Sequence, residues 1–294
     1  MTGGMKLGLI GVGLIGGSLA AAWRAAGAVT SVSGYDIDPS ALTKARSLGI
    51  IDRVAQDVAD AVADAEVVVL AVPVGRMAAV LTDVAAAVPA TAVITDVGST
   101  KGDVIAAAHA ALGTGSSFGR FVPGHPIAGR ELPGVEHADA KLFNGKLVIL
   151  TPTEQTQPEA VATIERAWSA TGARVERMDA AEHDRVFAAV SHLPHLLSFA
   201  LVAAIAAAPD GERKFGFAGA GFRDFTRIAA SSPVMWRDIA LANRSALGTE
   251  LRTYRALLEQ LQAAIDNGDA ATVERVFDVA SRARRRHGKT FDAE

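Results

Sequence analysis

Cysteine is absent from the 294 residues, and aromatic side chains make up only 5% of them. Without cysteine, the chain has no disulfide bond, no thiolate nucleophile and no thiolate metal ligand. Opposite charges nearly balance at a formal net charge of −3, so we expect neither nucleic acid nor an anionic membrane as a partner. Half of the residues are apolar, which is enough for one large domain or two moderate ones.

Long uninterrupted apolar runs are also scarce. The apolar stretch at 7–22 contains five glycines, which a phosphate-binding loop explains better than a signal peptide does. The stretch at 196–208 is well short of the roughly 20 residues of a membrane-spanning helix, and we interpret it as a buried core helix. We therefore expect a cytoplasmic protein.

The first half of the chain alternates β-rich and alanine-rich segments. Strands are predicted at 6–12, 29–36, 67–72 and 92–97, with helices at 15–26, 40–48, 76–87 and 102–112. Two later strands, at 146–150 and 174–178, flank a helix at 159–170. Strands that alternate with helices predict right-handed crossovers and a parallel sheet.

After about residue 179 the pattern contains only long helices, predicted at 180–208, 241–267 and 273–286. We thus predict an α/β protein, with an N-terminal Rossmann-type parallel sheet domain at 1–178 and an all-α domain at 179–294. Alanine- and leucine-rich helices without a strand partner need another surface on which to bury their apolar side chains. Homodimerisation through this domain is the expected solution.

A glycine triplet, Gly11-x-Gly13-x-x-Gly16, follows the first predicted strand and opens the first helix. In this context the glycines allow a tight turn, close approach of a pyrophosphate to the backbone, and close helix–strand packing. The helix N-terminus would face the phosphates with free N–H groups, and Leu14 and Ile15 belong to the same loop. The triplet predicts a dinucleotide-binding site.

An acid at the end of the second strand selects the cofactor. The Asp36 carboxylate suits the ribose hydroxyls of NAD and would repel the 2′-phosphate of NADP, and Asp38 adds to that repulsion. The alternative is that Asp36 is only a turn residue before Asp38-Pro39. Val72 and Pro73, after the third strand, are expected to border the nicotinamide half at the carboxyl edge of the sheet.

Three later segments are too polar for plain packing. Gly-His-Pro-Ile-Ala-Gly at 124–129 holds His125 on a loop, and Glu131 follows it. A lone histidine of this kind is structural about as often as it is functional. Ser-His-Leu-Pro-His at 191–195 lies inside the long helix, where the spacing puts Asp184 and His195 on one face and Pro194 is expected to bend the helix.

The third segment, at 222–239, contains Arg223 and Arg227 one helical turn apart. Ser232 and Pro233 then predict an N-cap followed by proline at the first position of a new helix. Together the three segments, behind the glycine loop, resemble the prephenate dehydrogenase family, which includes arogenate and cyclohexadienyl dehydrogenases. The resemblance covers nearly the whole chain.

The resemblance implies NAD-dependent oxidative decarboxylation of prephenate to 4-hydroxyphenylpyruvate, in tyrosine biosynthesis. His125 resembles the histidine that takes the proton from the ring 4-hydroxyl as hydride leaves the same carbon. Ser99, in a Gly-Ser-x-Lys segment, resembles the serine that orients that hydroxyl. Arg227 resembles the arginine that binds a substrate carboxylate, and Arg223 is the alternative anchor.

Three further residues resemble polar groups of the family's substrate pocket. His195 and Asp184 correspond to pocket residues, and Glu131 corresponds to an acid that organises or gates the pocket. A neutral imidazole can accept a proton near neutral pH, and an arginine binds a carboxylate with a bidentate fork. No cluster of His, Asp and Glu suggests a metal, and none is expected.

Other functions remain open at this point. The substrate could be arogenate instead of prephenate, or the enzyme could accept both. A 3-hydroxyacid or 6-phosphogluconate-type dehydrogenase would carry a catalytic lysine in a helix after the sheet, and Lys146 and Lys214 do not fit that pattern. A non-catalytic NAD-binding sensor or dimeric scaffold would give no reason for a histidine and arginines to converge on one cleft.

Overall fold

The computed structural model describes residues 4–130 and 132–291, without the side chains of 289–291. The predicted pocket residue Glu131 lies outside the described residues. Two compact units are formed, Met1–Arg244 and Ser245–Glu294. The domain division at 178/179 stays a prediction.

A six-stranded sheet forms the centre of the first unit, and all of its strand pairs are parallel. Its strands are β1 (Met5–Ile10), β2 (Val29–Tyr35), β3 (Arg53–Val54), β4 (Val67–Leu70), β5 (Val93–Asp96) and β6 (Phe121–Val122). The order across the sheet is β3-β2-β1-β4-β5-β6, which is the Rossmann order. The predicted parallel sheet is confirmed, and the order reverses between β1 and β4, where such folds bind their ligands.

Helices connect these strands and cover both faces of the sheet. They are α1 (Leu14–Ala25), α2 (Pro39–Ser47), α3 (Val58–Val62), α4 (Val74–Ala87), α5 (Gly102–Leu112) and α6 (Ser116–Gly119). All four residues of β4 are buried, as expected for an apolar strand covered on both faces. Asp38 begins α2 by accepting a hydrogen bond from the Ser40 amide, with Pro39 as the first helical residue.

The two late strands form a sheet of their own with a strand that the sequence did not predict. In it, β7 (Gly124–Pro126) pairs antiparallel with β8 (Leu147–Leu150), and β9 (Arg174–Arg177) pairs parallel with β8. Helix α7 (Pro158–Ser169) connects β8 and β9. Two of the three residues of β7 are glycine and proline, which are poor strand formers. The strand forms because it pairs with β8. Strand β7 carries His125.

The small sheet is joined to the large one through buried aromatic rings. Trp23 of α1 and Trp168 of α7 pack edge to face, with ring centroids 5.6 Å apart, and Phe143 packs against Trp168 at 5.0 Å. All three are fully buried. Such pairs contribute about 0.5–1.5 kcal/mol beyond the burial of their area.

From residue 180 the described chain is helical, as predicted. The first unit contains α8 (Ala180–Phe187), α9 (Leu193–Ala206), α10 (Gly211–Gly216), α11 (Ala220–Thr226) and α12 (Pro233–Ala242). The second unit is built from α13 (Arg244–Asp266) and α14 (Ala270–Phe291). As predicted, the Ser232 side chain caps α12 by accepting a hydrogen bond from the Met235 amide.

Two predicted long helices are interrupted. A π-helical turn, Ala188–His192, separates α8 from α9, because Pro194 has no N–H to donate to a regular turn. This turn interrupts the regular helical spacing on which the prediction of Asp184 and His195 on one face rested. The predicted helix at 241–267 is broken at Asn243, whose side chain is engaged elsewhere.

The helical run Ala180–Ala206 is long and apolar enough, by length and composition, to cross a membrane. The sequence analysis considered only the apolar stretch at 196–208, which is too short to span a membrane, whereas the helical run in the structure begins at Ala180. Val190 is 66% exposed, and several other apolar side chains of the run are partly exposed. Among the described residues, this run therefore presents apolar side chains that are not fully covered.

Candidate active site

The glycine loop has the geometry of a dinucleotide site. Gly11 has φ of +94°, and a Cβ atom there would lie 2.4 Å from the Ala71 carbonyl oxygen. A Cβ on Gly16 would lie 2.1 Å from the Gly11 carbonyl oxygen, so both positions need glycine. Gly13, at the N-cap of α1, faces open space, which leaves room for a phosphate at the helix N-terminus.

The other predicted cofactor residues lie at the same edge of the sheet. Leu14 and Ile15 form the first turn of α1. Val72 and Pro73 follow β4, the neighbour of β1, and Pro73 is the N-cap of α4. The loops after β1 and β4 thus meet at the point where the strand order reverses.

Asp36 directly follows β2, and its side chain is hydrogen-bonded to the glycine loop. Its Oδ2 atom accepts a hydrogen bond from the Val12 amide at 2.7 Å, and its Oδ1 atom accepts one from the Asp38 amide at 3.0 Å. The side chain is half-buried beside the loop. Asp38 is exposed, and its hydrogen bonds from Ser40 lower its pKa.

His125 forms the first link of a buried chain of polar groups. Its Nδ1 atom lies 2.9 Å from Nε2 of His183, and Nδ1 of His183 lies 2.9 Å from Oδ1 of Asp184. His183 is fully buried, whereas His125 is half-buried. The Nε2 atom of His125 forms no hydrogen bond within the described part of the chain.

The Asp184 carboxylate is hydrogen-bonded to His183 and to two backbone amides. Its two carboxylate oxygens accept hydrogen bonds from the amides of Lys101 and Gly102, both at 2.9 Å, at the start of α5. Burial opposes ionisation, but the hydrogen bonds from His183 and these amides hold its pKa below the usual range. Asp184 therefore carries a negative charge next to His183.

A buried ion pair holds the backbone that precedes His125. The Lys101 ammonium lies 2.5 Å from Oδ2 of Asp96, and both side chains are fully buried. Lys101 also donates to the Gly124 carbonyl at 2.7 Å, while Asp96 accepts from the Gly124 amide at 3.1 Å and from the Gly98 amide at 2.8 Å. The residues next to Ser99 and next to His125 are thereby fastened to the same carboxylate.

Ser99 lies half-buried in the loop between β5 and α5. Its hydroxyl makes no hydrogen bond to the described residues. This loop lies at the carboxyl edge of the sheet, where the Ser99 hydroxyl could contact a bound ligand.

A second cluster lies along the start of α9. The His195 ring stacks on Trp236 of α12, with centroids 3.5 Å apart and planes within 18°, and its Nδ1 atom lies 2.9 Å from the Ser191 carbonyl. Nδ1 of His192 lies 3.1 Å from the side-chain amide nitrogen of Asn243. The same nitrogen donates a hydrogen bond of 2.7 Å to the backbone carbonyl of Asp184. The Trp236 indole N–H is buried and has no acceptor among the described residues.

Arg227 lies next to both parts of the site. Together with Gly129, Arg130, Leu132 and His137 it lines a cavity of about 420 Å³, so it shares that cavity with the loop that follows His125. Its positive charge also lowers the pKa of His195, after the larger effect of burial. Arg223 is exposed on α11 and does not line this cavity.

The histidines of the site are neutral at neutral pH. Burial lowers the pKa of His125 well below its usual value, and the neighbouring His183, Lys101 and His192 lower it further. Burial also lowers the pKa of His183, although Asp184 opposes the effect, and it lowers the pKa of His192 to about 4. Within residues 4–130 and 132–291 no three His, Asp or Glu side chains are grouped to hold a metal ion.

Sequence reasoning missed the residues that connect the site. His183, Lys101 and Asn243 were not singled out, although Lys101 stands in the Gly-Ser-x-Lys segment that pointed to Ser99. Asp96 was expected only at the carboxyl edge of the sheet, and its ion pair with Lys101 was not foreseen. A signal for His183 was present, since a histidine directly before an acid is a candidate for an oriented pair. Nothing in the local pattern showed that Lys101 would be fully buried.

The chain matches two models of one protein family. The family model "Prephenate dehydrogenase, nucleotide-binding domain" matches residues 19–177, and "Prephenate dehydrogenase, dimerization domain" matches residues 179–279. Cyclohexadienyl dehydrogenase of Zymomonas mobilis is 37% identical over 97% of this chain and 96% of its own. Prephenate dehydrogenase of Bacillus subtilis is 35% identical over 92% of this chain and 73% of its own.

A solved structure extends the likeness to three dimensions. Prephenate dehydrogenase from Aquifex aeolicus, in complex with hydroxyphenyl propionate and NAD+, superimposes with a TM-score of 0.85 at 37% identity, over 95% of this chain and 97% of that one. Both parts of the chain match the two models of one family, and full-length relatives match nearly all of it. The chain belongs to the prephenate dehydrogenase family.

Proposed function

We propose that this protein catalyses the NAD-dependent oxidative decarboxylation of prephenate to 4-hydroxyphenylpyruvate, a step of tyrosine biosynthesis. The observation that carries the proposal is His125, held by buried partners beside the edge of the sheet where the glycine loop lies. The A. aeolicus relative holds NAD+ and a hydroxyphenyl compound together, which supports the same pairing of cofactor and ligand class here.

The residues present fit NAD. The steric demand for glycine at positions 11 and 16, and the open space at Gly13, leave a cradle at the N-terminus of α1 for a pyrophosphate. Asp36 is half-buried beside that cradle, and a carboxylate there suits the ribose hydroxyls and disfavours an added phosphate. When bound, the nicotinamide supplies the hydride acceptor.

The protein supplies a base and charge complementarity. Neutral His125 accepts the proton of the ring 4-hydroxyl while hydride leaves the same carbon, since a hydrogen bond from that hydroxyl relieves the positive character that builds there. Loss of the ring carboxylate as carbon dioxide then completes an aromatic ring. Ser99, in the loop fastened by Asp96, orients the hydroxyl.

Prephenate carries two carboxylates, so the pocket needs cationic donors. We assign Arg227 as the carboxylate anchor because it lines the cavity next to the loop that follows His125, and Arg223 remains the alternative. His195, stacked on Trp236, forms a wall of the pocket. Glu131 is proposed to organise the mouth of the pocket, next to Arg130.

Arogenate is the second candidate substrate, alone or with prephenate. The name of the Z. mobilis relative, a cyclohexadienyl dehydrogenase, favours this alternative, since arogenate and prephenate differ only at the side-chain amino or keto group.

We also propose that the protein is a cytoplasmic homodimer. The dimerization-domain match covers 179–279, and this segment includes the run Ala180–Ala206 with its exposed apolar side chains. A second copy of the chain would bury that face. A membrane is a poorer partner because the same segment carries the polar residues of the site, Asp184, His192 and His195.

The proposal is tested by an absorbance assay of reduced cofactor with prephenate and arogenate, each with NAD and NADP. We expect fastest turnover with prephenate and NAD. The variant His125→Asn serves as the negative control for adventitious oxidation. Faster turnover with arogenate would make arogenate the assigned substrate. No turnover with either substrate would contradict the proposed activity.

A further inference from the structure

His183 and Asp184 form a pair behind His125 that no step of the proposed mechanism uses directly. His183 is fully buried between the other two residues. It contacts His125 through Nε2 and Asp184 through Nδ1, both at 2.9 Å. Its ring also packs against Phe187, with centroids 4.5 Å apart, and Phe187 packs against His125 at 4.9 Å. Neither imidazole has freedom to turn.

The positions of the protons follow from which groups can donate. An ionised carboxylate only accepts hydrogen bonds, and Asp184 already accepts two from the amides at the start of α5. Nδ1 of His183 must therefore carry a proton and donate it to Asp184. In a neutral imidazole the other nitrogen is an acceptor, so Nε2 of His183 accepts.

The protonated nitrogen of His125 follows from the same reasoning. Because Nε2 of His183 accepts, Nδ1 of His125 must donate, and it carries the proton of the neutral ring. Nε2 of His125 then bears the lone pair, and it is the nitrogen without a hydrogen bond among the described residues. We infer that His183 and Asp184 are positioning residues that fix the tautomer of His125, so that Nε2 is the atom that accepts the substrate proton.

The pair also prepares the site for the charge that the reaction creates. When Nε2 of His125 takes a proton, the O–H bond of the substrate breaks and the imidazole becomes a cation. Its Nδ1–H still donates to His183, which is itself hydrogen-bonded to the negative Asp184. The other charged or titratable groups that face these rings are Lys101, Asp96 and His192. Lys101 is already neutralised by Asp96.

This inference rests on the proposed function for its kinetic consequence, but not for the tautomer. A joint neutron and X-ray crystal structure of the wild-type protein near neutral pD locates the deuterons directly. We expect deuterons on Nδ1 of both His125 and His183 and none on Nε2 of either ring. A deuteron on Nε2 of His125 would overturn the inference, even if the enzyme oxidises prephenate.

Kinetics of two substitutions separate positioning from packing. His183→Gln keeps an acceptor for His125 and a donor for Asp184, whereas His183→Phe fills the space and offers neither. We expect kcat to fall about 100-fold or more in the Phe variant, with KM little changed, and the Gln variant to retain most of kcat. His109→Gln, on the exposed side of α5, is the control. Equal losses in the Gln and Phe variants, or wild-type kcat in the Phe variant, would overturn the role.

Discussion

The Lys101 ammonium donates a hydrogen bond of 2.7 Å to the carbonyl of Gly124, the residue directly before His125. Asp96 neutralises Lys101 and at the same time accepts the amide of Gly124. Both backbone polar groups of Gly124 are thus held by one buried ion pair, and β7 starts in a position that this pair defines.

Replacing Lys101 by Met should leave the Asp96 carboxylate buried without its counter-ion. Breaking a buried pair on one side costs about 3–5 kcal/mol, so we expect the free energy of unfolding in urea to fall by that order, with kcat reduced as well. The exposed pair of Lys214 and Asp210 offers the control Lys214→Met, since exposed pairs contribute about 0–1 kcal/mol. Equal stability of the two variants would contradict the assigned role.

Replacing His125 by Asn should remove the base but retain a donor toward His183. We expect kcat to fall about 10²- to 10⁴-fold, while the dissociation constants of prephenate and NAD change little. Steady-state kinetics and a binding titration measure the two quantities separately. Turnover close to that of the wild type would exclude His125 from the mechanism.

The pH profile of kcat/KM should reflect the lowered pKa of His125. Protonated His125 cannot accept a proton, so activity is lost as the pH falls through the pKa of this ring. Because burial lowers that pKa, the acid limb should lie below 6.5, and the base should be fully available at neutral pH. An acid limb above 6.5 that disappears in His125→Asn would show that the site raises this pKa instead.

Replacing Arg227 by Ala should mainly raise the KM for prephenate. A charge-assisted contact to a carboxylate is worth about 1.5–3 kcal/mol, or roughly 10- to 100-fold in KM. Arg223→Ala, on exposed α11, is the matched control and should leave KM unchanged. If the two results were reversed, Arg223 would be the anchor.

Replacing Asp36 by Ser should weaken the preference for NAD over NADP. The change removes the negative charge that repels a 2′-phosphate, but it also removes the acceptor of the Val12 amide, so we expect kcat/KM for NAD to fall as well. Asp38→Ser, whose carboxylate caps α2, tests whether the second acid contributes. A wild-type enzyme that prefers NADP would refute the assignment of Asp36.

Much of the N-terminal half was predictable because its signals are local. The strand at β4 is a continuous apolar run, and the glycines at 11 and 16 are demanded by contacts with the adjoining backbone. The three motifs that carry the family resemblance also led directly to His125 and Arg227. Their positions in the chain, rather than any contact between them, supported that prediction.

The unpredicted parts depend on contacts between distant residues. Asp184 binds the amide of Lys101 across 83 positions of sequence, and β7 exists only because β8 pairs with it. The π-helical turn before α9 follows from Pro194, but its effect on the spacing of Asp184 and His195 emerges only in the folded helix. The sequence places His183 directly before an acid, but its contact with His125, 58 positions away, depends on the position of β7.

The most direct test is a crystal structure of this protein with NAD and 4-hydroxyphenylpropionate, which keeps the ring hydroxyl and one carboxylate. We predict that the hydroxyl oxygen lies within hydrogen-bond distance of Nε2 of His125, that its carbon faces the nicotinamide, and that the carboxylate contacts Arg227. A ligand bound with its hydroxyl away from His125, or with no arginine at its carboxylate, would contradict the account.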